Sequence, residues 1–300
     1  MDKKLINIAL CYDDKFWMEA GVAITSLLCV SKDKCNYNIY CVISSSVNKT
    51  MQNILESLVK KHSASSNIKF FAVIDQLNDV RFASMYYRLL LPQILFDIDK
   101  IIYSDIDVVF NLNLQELDSI DVNSYYIAGV KDFNKKNFKN KLWNKYNIHN
   151  INDNGQYINS GILVMNLKKI RQDNIDKKWL YFVKENFPFH DQDIINVSCK
   201  GKILFLPSEY NFLDINAKVL HFSGNIKPWN VCEGILKYSE LWWYYAAKTE
   251  FYPYFLKNIT QKQCENIFKI LPKWLGKFIC WFIFKREKRR CFIERYVKGL

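Results

Sequence analysis

The chain contains no Cys-x-x-Cys pair. Its nine cysteines, at positions 11, 29, 35, 41, 199, 232, 264, 280 and 291, are scattered and odd in number. Their spacing supports neither a disulfide framework nor a zinc site, and reduced thiols of a cytosolic protein are the expectation. No Gly-x-Gly-x-x-Gly follows the first apolar run, which counts against a dinucleotide-binding oxidoreductase. "CYDDKF" (11–16) has no glycine at all, where a nucleotidyltransferase would be expected to carry a Gly-rich phosphate loop. No run reaches the roughly 18 consecutive apolar residues of a spanning helix. The N-terminus "MDKKLINIALCYDD" lacks the apolar core and cleavage site of a signal peptide. No internal repeat stands out.

What is present is core material and positive charge. Of 300 residues, 50% are apolar and 16% aromatic, enough for one large domain with or without an appendage. Lys+Arg exceeds Asp+Glu by 42 to 30, a net charge of +12. Such an excess points to an anionic partner: a nucleotide, a nucleic acid or an acidic membrane surface. Residues 271–300 alone carry nine Lys/Arg against two Glu, or +7.

Apolar runs alternate with helical periodicity along the first part of the chain. "LINIALCY" (5–12), "NIYCVIS" (38–44) and "IKFFAVID" (68–75) read as strands. "FWMEAGVAITSLLCV" (16–30) and "NKTMQNILESLVKKH" (48–62) read as helices, the second capped by Asn48. This alternation predicts an α/β fold with a mostly parallel sheet covered on both faces. Further on, "SMYYRLLLPQIL" (84–95) reads as a helix interrupted near Pro92, "KIIYSDIDVVF" (100–110) and "YYIAGVKD" (125–132) as strands, and 133–155 as a Lys/Asn-rich lid. "YINSGILVMNL" (157–167) reads as a strand, 168–186 and about 191–199 as helices, and "KILFLP" and "KVLHFS" as the last core strands. Beyond about 235 the chain turns aromatic and basic, which divides it into a core domain, 1–235, and a helical extension, 236–300.

Asp105 and Asp107 stand inside an apolar strand pattern. In an extended segment they point to the same side, and two convergent carboxylates repel unless a cation lies between them. A divalent ion bridging them to a substrate diphosphate resolves the conflict. The plain alternative is a solvated strand end.

"ALCYDDKFW", "YYRLLLPQIL…DKIIYSDIDVVF", "YINSGILVMNLKKIR", "HDQDIIN" and "HFSGNIKPW" follow one another over about residues 5–230. In that order they resemble glycosyltransferase family 8, a retaining group with the GT-A fold: a single mixed, mostly parallel sheet with flanking helices. The tail looks like the small helical C-terminal extension of members that build bacterial lipopolysaccharide. The resemblance implies that Asp105, Asp107 and His221 hold Mn²⁺, with Mg²⁺ as the alternative. It implies a UDP-hexose donor bound by Cys11, Asp13, Phe16, Arg88, Asp105, Asn159, Ser160, Gly224 and Lys227. Asp13 would read the uracil edge and Phe16 would stack on its ring. Asp132 would face the acceptor, and Asp191 and Gln192 the anomeric carbon; an N-terminal cap is the structural role open to Asp191. Where the family often has a histidine before Arg88, this chain has Val80.

The reaction so implied is transfer of galactose or glucose from UDP, with retention, to a lipopolysaccharide, lipooligosaccharide or similar acceptor. Gln192 is an amide where retaining glycosidases carry a nucleophilic carboxylate, which favours front-face attack. "WLGKFICWFIF" beside "KREKRR" suits an anionic bilayer, so the expected location is cytoplasmic, peripheral on the inner face of the membrane. A dimer interface or a packed helix are the other uses of such a tail. A self-glycosylating primer and a basic RNA-binding protein remain as alternatives, although no nucleic-acid motif occurs and a nucleic-acid partner is not expected.

Overall fold

The computed structural model describes residues 3–32, 34–73, 83–132, 141–148, 156–224, 226–230 and 236–259. Its centre is a seven-stranded sheet with strand order β3-β2-β1-β4-β7-β6-β8. The strands are β1 (Lys4–Tyr12), β2 (Cys35–Ser44), β3 (Asn67–Val73), β4 (Lys100–Ser104), β6 (Ile127–Lys131), β7 (Ile158–Asn166) and β8 (Ile203–Leu206). β1 pairs in parallel with β2 and β4, β2 with β3, and β6 with β8; only β7 runs antiparallel, between β4 and β6. This is the mixed, mostly parallel α/β sheet expected of a GT-A fold.

The period of two in β1 explains the two cores. Ile6, Ile8, Leu10 and Tyr12 point to one face, into a cluster with α1 (Trp17–Ser31). Ala9 and Cys11 point to the other, against Tyr86, Tyr87 and Leu89–Leu91. α1 is buried along most of its length, and a Cβ on Gly21 would lie 2.5 Å from Phe251 Cε2. That glycine lets the helix approach the aromatic segment that follows residue 236. α2 (Lys49–His62) begins as expected, with Asn48 accepting a hydrogen bond from the Met51 amide at 3.1 Å.

Four local expectations are revised. The 84–95 segment is a 3₁₀ helix, Ala83–Leu90, running into a short α3, Leu91–Ile94. Pro92 lies in the first turn of α3 and interrupts nothing, because the first amides of a helix have no intrahelical acceptor. The run 100–110 is two strands. β4 ends at Ser104, residues 105–107 bend, and β5 (Val108–Phe110) pairs antiparallel with β9 (Val219–His221) in a separate two-stranded sheet. β9 therefore leaves the main sheet. The 168–186 helix breaks into α6 (Leu167–Gln172) and α7 (Ile175–Phe182) at Asn174, whose φ is 54°. Of the segment read as a lid, residues 141–148 are described; they hold α5 (Lys141–Lys145), anchored by the fully buried Trp143. α4 is a short helix, Gln115–Ser119, and α8 spans His190–Ser198.

The start of the C-terminal segment packs on the main core. In α9 (Ser239–Ala246), Trp242 and Ala246 are fully buried, and Phe251 and Phe255 join the same cluster as α1. Residues 231–235, where the expected boundary falls, and the basic tail from 260 onward lie outside the described residues.

Candidate active site

The bend between β4 and β5 lies at the carboxyl end of β4, where open α/β sheets bind ligands. The Asp105 amide donates to the Gly161 carbonyl at 2.7 Å, and the Phe222 amide to the Asp107 carbonyl at 2.9 Å. Residues 105–107 thus step from β7 to β9, and both carboxylates turn into one pocket. Cys11, Tyr12, Phe16, Ser84, Met85, Arg88, Asp105, Ile106, Asp107, Lys227 and Trp229 line a cavity of about 190 Å³. Asp13 stands at its margin, hydrogen-bonded by Ser84 Oγ at 3.3 Å. Phe16 is 38% exposed, its ring edge-on to Trp229.

His221 Nε2 lies 3.2 Å from Asp107 Oδ1 and 3.7 Å from Asp105 Oδ2. One ligand atom from each of the three residues falls within 4.8 Å of the others, and no other such cluster of three occurs among the described residues. Lys227 Nζ contacts Asp107 Oδ2 and donates to the Phe222 carbonyl at 2.9 Å. Burial alone would push the Asp107 carboxyl up; His221 and Lys227 outweigh it and hold the group well below the usual carboxylate range. Burial would likewise lower His221, and Asp107 reverses the sign, so the imidazole sits above its ordinary value. Two carboxylates and one imidazole nitrogen suit a divalent cation, and the Lys227 ammonium already marks the spot as one that attracts positive charge. The donor set fits the divalent cation expected from the sequence.

Behind this cluster lies Arg88. Its guanidinium pairs with Asp105 Oδ1 at 2.8 Å and Asp191 Oδ2 at 3.0 Å. It also donates to the Ser160 carbonyl at 2.7 Å and stacks 4.4 Å from the centre of the Tyr103 ring. Asp191 accepts from Ser160 Oγ at 3.1 Å, and burial raises its carboxyl to about 6 against the lowering pull of Arg88. At the same helix start the Asp191 carboxylate also meets its own backbone amide, and Asp193 Oδ2 accepts from the Phe189 amide at 3.0 Å.

Gln192 is fixed at every polar position. Its Oε1 accepts from Asn159 Nδ2 and the Ser160 amide, both at 3.1 Å. Its Nε2 donates to Asp132 Oδ2 at 3.1 Å and Tyr157 Oη at 3.2 Å. The structure therefore gathers Asp105, Asp107, His221 and Lys227 in one group, Arg88, Asp191 and Ser160 in a second, and Gln192, Asn159 and Asp132 in a third. Gly224 (φ 129°) follows β9, with open space where a Cβ would point. Val80 lies outside the described residues.

Sequence reading missed the supporting cast. Tyr103 Oη donates to Asp105 Oδ1 at 2.6 Å. Asn211 Oδ1 meets His221 Nδ1 at 2.6 Å. A Cβ on Gly161 would sit 2.3 Å from His221 Cε1. Of these, only Gly161 carried a signal, since a glycine inside a strand pattern marks a close approach.

Comparison with known proteins places the chain in a family. A putative glycosyltransferase of Haemophilus influenzae is 32% identical over 218 residues, 69% of this chain and 63% of that protein. The lipopolysaccharide 1,2-glucosyltransferase of Escherichia coli K12 is 27% identical over 257 residues, 76% of this chain and 73% of that protein. Among solved structures, the galactosyltransferase LgtC in complex with donor and acceptor sugar analogs superposes with a TM-score of 0.68 at 20% identity, covering 82% of this chain and 96% of LgtC. The bifunctional glycosyltransferase WbbM gives 0.70 at 23% identity over 86% of this chain; the chain spans 52% of WbbM. These likenesses show the fold. Residues 7–232 match the description of glycosyl transferase family 8, and the chain belongs to that family of retaining glycosyltransferases.

Proposed function

We propose that the protein transfers a hexose, galactose or glucose, from its UDP derivative to a lipopolysaccharide, lipooligosaccharide or similar glycan acceptor, with retention and with Mn²⁺, or else Mg²⁺, as cofactor. The observation that carries the reading is the cluster of Asp105, Asp107 and His221, tied through Arg88 to Asp191 and through Ser160 to Gln192. The lipopolysaccharide transferases among the relatives support the acceptor class.

Asp105, Asp107 and His221 would hold the cation, which when bound neutralises the donor diphosphate. Asp13 and Phe16 face the base. Lys227 brings a compact positive charge to the leaving phosphate, where negative charge develops. Gln192 is a poor nucleophile whose amide is fully engaged, and the Asp191 carboxylate is held by Arg88 and Ser160. The acceptor hydroxyl then enters on the face from which UDP departs. Its bond to the anomeric carbon forms as the bond to UDP breaks, and its proton passes to the departing phosphate oxygen. A glycosyl adduct isolated on Asp191 would overturn this path.

No described helix is long and apolar enough to cross a membrane. The basic aromatic tail supports peripheral docking on an anionic leaflet, on the cytoplasmic side where UDP-sugars are made. The test is a panel of UDP-sugars with Mn²⁺, scored by UDP release. Turnover with UDP-galactose or UDP-glucose, lost in Asp105→Ala and Asp107→Ala, is expected. Full activity in excess chelator would refute the cation site, and a mass increase of the protein itself would favour the self-glycosylating primer.

A further inference from the structure

His221 belongs to β9 and Gln192 to α8, yet one file of hydrogen bonds joins them. His221 Nδ1 meets Asn211 Oδ1 at 2.6 Å, and Asn211 Nδ2 donates to Asn159 Oδ1 at 2.8 Å. Asn159 Nδ2 donates to Gln192 Oε1 at 3.1 Å, and Gln192 Nε2 donates to Asp132. The polarity of this file is forced by two backbone amides, which can only donate. The Gly161 amide donates to Asn159 Oδ1 at 2.9 Å and the Ser160 amide to Gln192 Oε1 at 3.1 Å. Asn159 Oδ1 is therefore an acceptor, so the Asn211 atom facing it is the amide nitrogen. The Asn211 atom facing the imidazole is then the oxygen. In the neutral ring the proton sits on Nδ1, and the lone pair of Nε2 faces Asp105 and Asp107.

We propose that Asn211 is a positioning residue for glycosyl transfer. It holds the His221 ring with Nε2 directed at the divalent cation and couples that ligand, through Asn159, to Gln192. The inference rests on the reading of Asp105, Asp107 and His221 as cation ligands. Asn211 is buried and well placed for the task. It closes the 3₁₀ turn Ser208–Tyr210, its amide donating to the Ser208 carbonyl at 3.0 Å. Tyr210 Oη ties the turn to Glu116 at 2.5 Å. Gly161 also lies against the ring, a Cβ there falling 2.3 Å from Cε1 and 2.7 Å from Nδ1, so the imidazole has little room to turn once Asn211 holds it.

Full-length wild type, Asn211→Leu and Asn211→Asp are titrated with MnCl₂, with and without UDP, free Mn²⁺ being read by electron paramagnetic resonance. UDP release from UDP-galactose and UDP-glucose is resolved into kcat and KM. Asn211→Leu removes both side-chain links, so Mn²⁺ affinity falls about 10–100-fold, the range for outer-shell partners of a metal ligand, and kcat falls with it. Asn211→Asp keeps an acceptor for Nδ1–H but offers Asn159 no donor; Mn²⁺ affinity stays near wild type while kcat still falls. That split separates positioning from mere packing, and should Asn211→Leu fail to fold, the aspartate variant decides alone. Wild-type affinity and kcat in both variants overturn the proposal, as does an equal loss of Mn²⁺ affinity in both. A wild-type chain that binds no Mn²⁺ removes the cation reading beneath it and the proposal together.

Discussion

Gly161 occupies the point where β7 passes closest to the His221 ring. Adding a methyl group there places carbon 2.3 Å from Cε1 and 2.7 Å from Nδ1, a clash that rotates the imidazole or displaces the strand. Gly161→Ala should cost about 1–3 kcal/mol of stability, the usual penalty of overpacking, and lower the rate of sugar transfer by more than that destabilisation explains. A thermal melt paired with a UDP-release assay checks it; an active variant with wild-type kcat contradicts it. Asp191 supplies a pH signature. Its carboxyl is raised to about 6 by burial, so the folded state holds its proton more tightly than the unfolded chain. The stability this gives is fully present below the unfolded value and is lost as pH rises through about 6. Wild type should therefore lose stability relative to Asp191→Asn between roughly pH 4 and 6, with a slope of at most about 1.4 kcal/mol per pH unit for one proton. Denaturant melts of both proteins across that range read the difference, and parallel curves would count against a buried, raised carboxyl.

At the scale of elements, the cap of α2 is a local feature with a local cost. Asn48→Ala removes the acceptor for the Met51 amide and should cost about 1 kcal/mol. Sugar transfer should not change, since α2 carries none of the pocket residues; a lowered kcat at saturating donor would show an unforeseen link to the site. That cap was legible because it is encoded within a few residues, as was β1, whose alternation fills two cores. The division of 100–110 into β4 and β5 was not legible. Both pieces are buried and apolar, and the aspartates between them have the spacing of one face of a single strand, while the backbone changes sheets at Asp105–Asp107. The convergence of these two aspartates comes from that bend and from hydrogen bonds to β7 and β9, not from the extended strand that the spacing suggested. The break between α6 and α7 hid in Asn174, a residue that tolerates left-handed backbone but does not require it. Asn211 could not be read at all, because its two side-chain partners, His221 and Asn159, come from separate elements, β9 and β7.

Over the whole molecule, more than half of the net positive charge lies in residues 271–300 of the sequence. Trp242, Phe251 and Phe255 fasten residues 236–259 to α1, so removal of everything after 238 would strip aromatic residues from the core. A test of membrane docking is better made by substitution in the full chain. Changing Lys285, Arg286, Lys288, Arg289 and Arg290 to Ser removes five positive charges. At about 1 kcal/mol per basic residue near an anionic surface, co-sedimentation with phosphatidylserine-containing vesicles should be lost, while turnover on a soluble acceptor persists. Equal sedimentation of both proteins would rule against docking through the tail. The central claim concerns the pocket, and the most direct measurement is anomalous diffraction from crystals grown with Mn²⁺ and UDP. The account predicts one manganese peak bridging Asp105, Asp107 and His221, with the diphosphate beside Lys227 and the uracil against Phe16. A peak elsewhere, or UDP bound with the three side chains turned away from it, would contradict it.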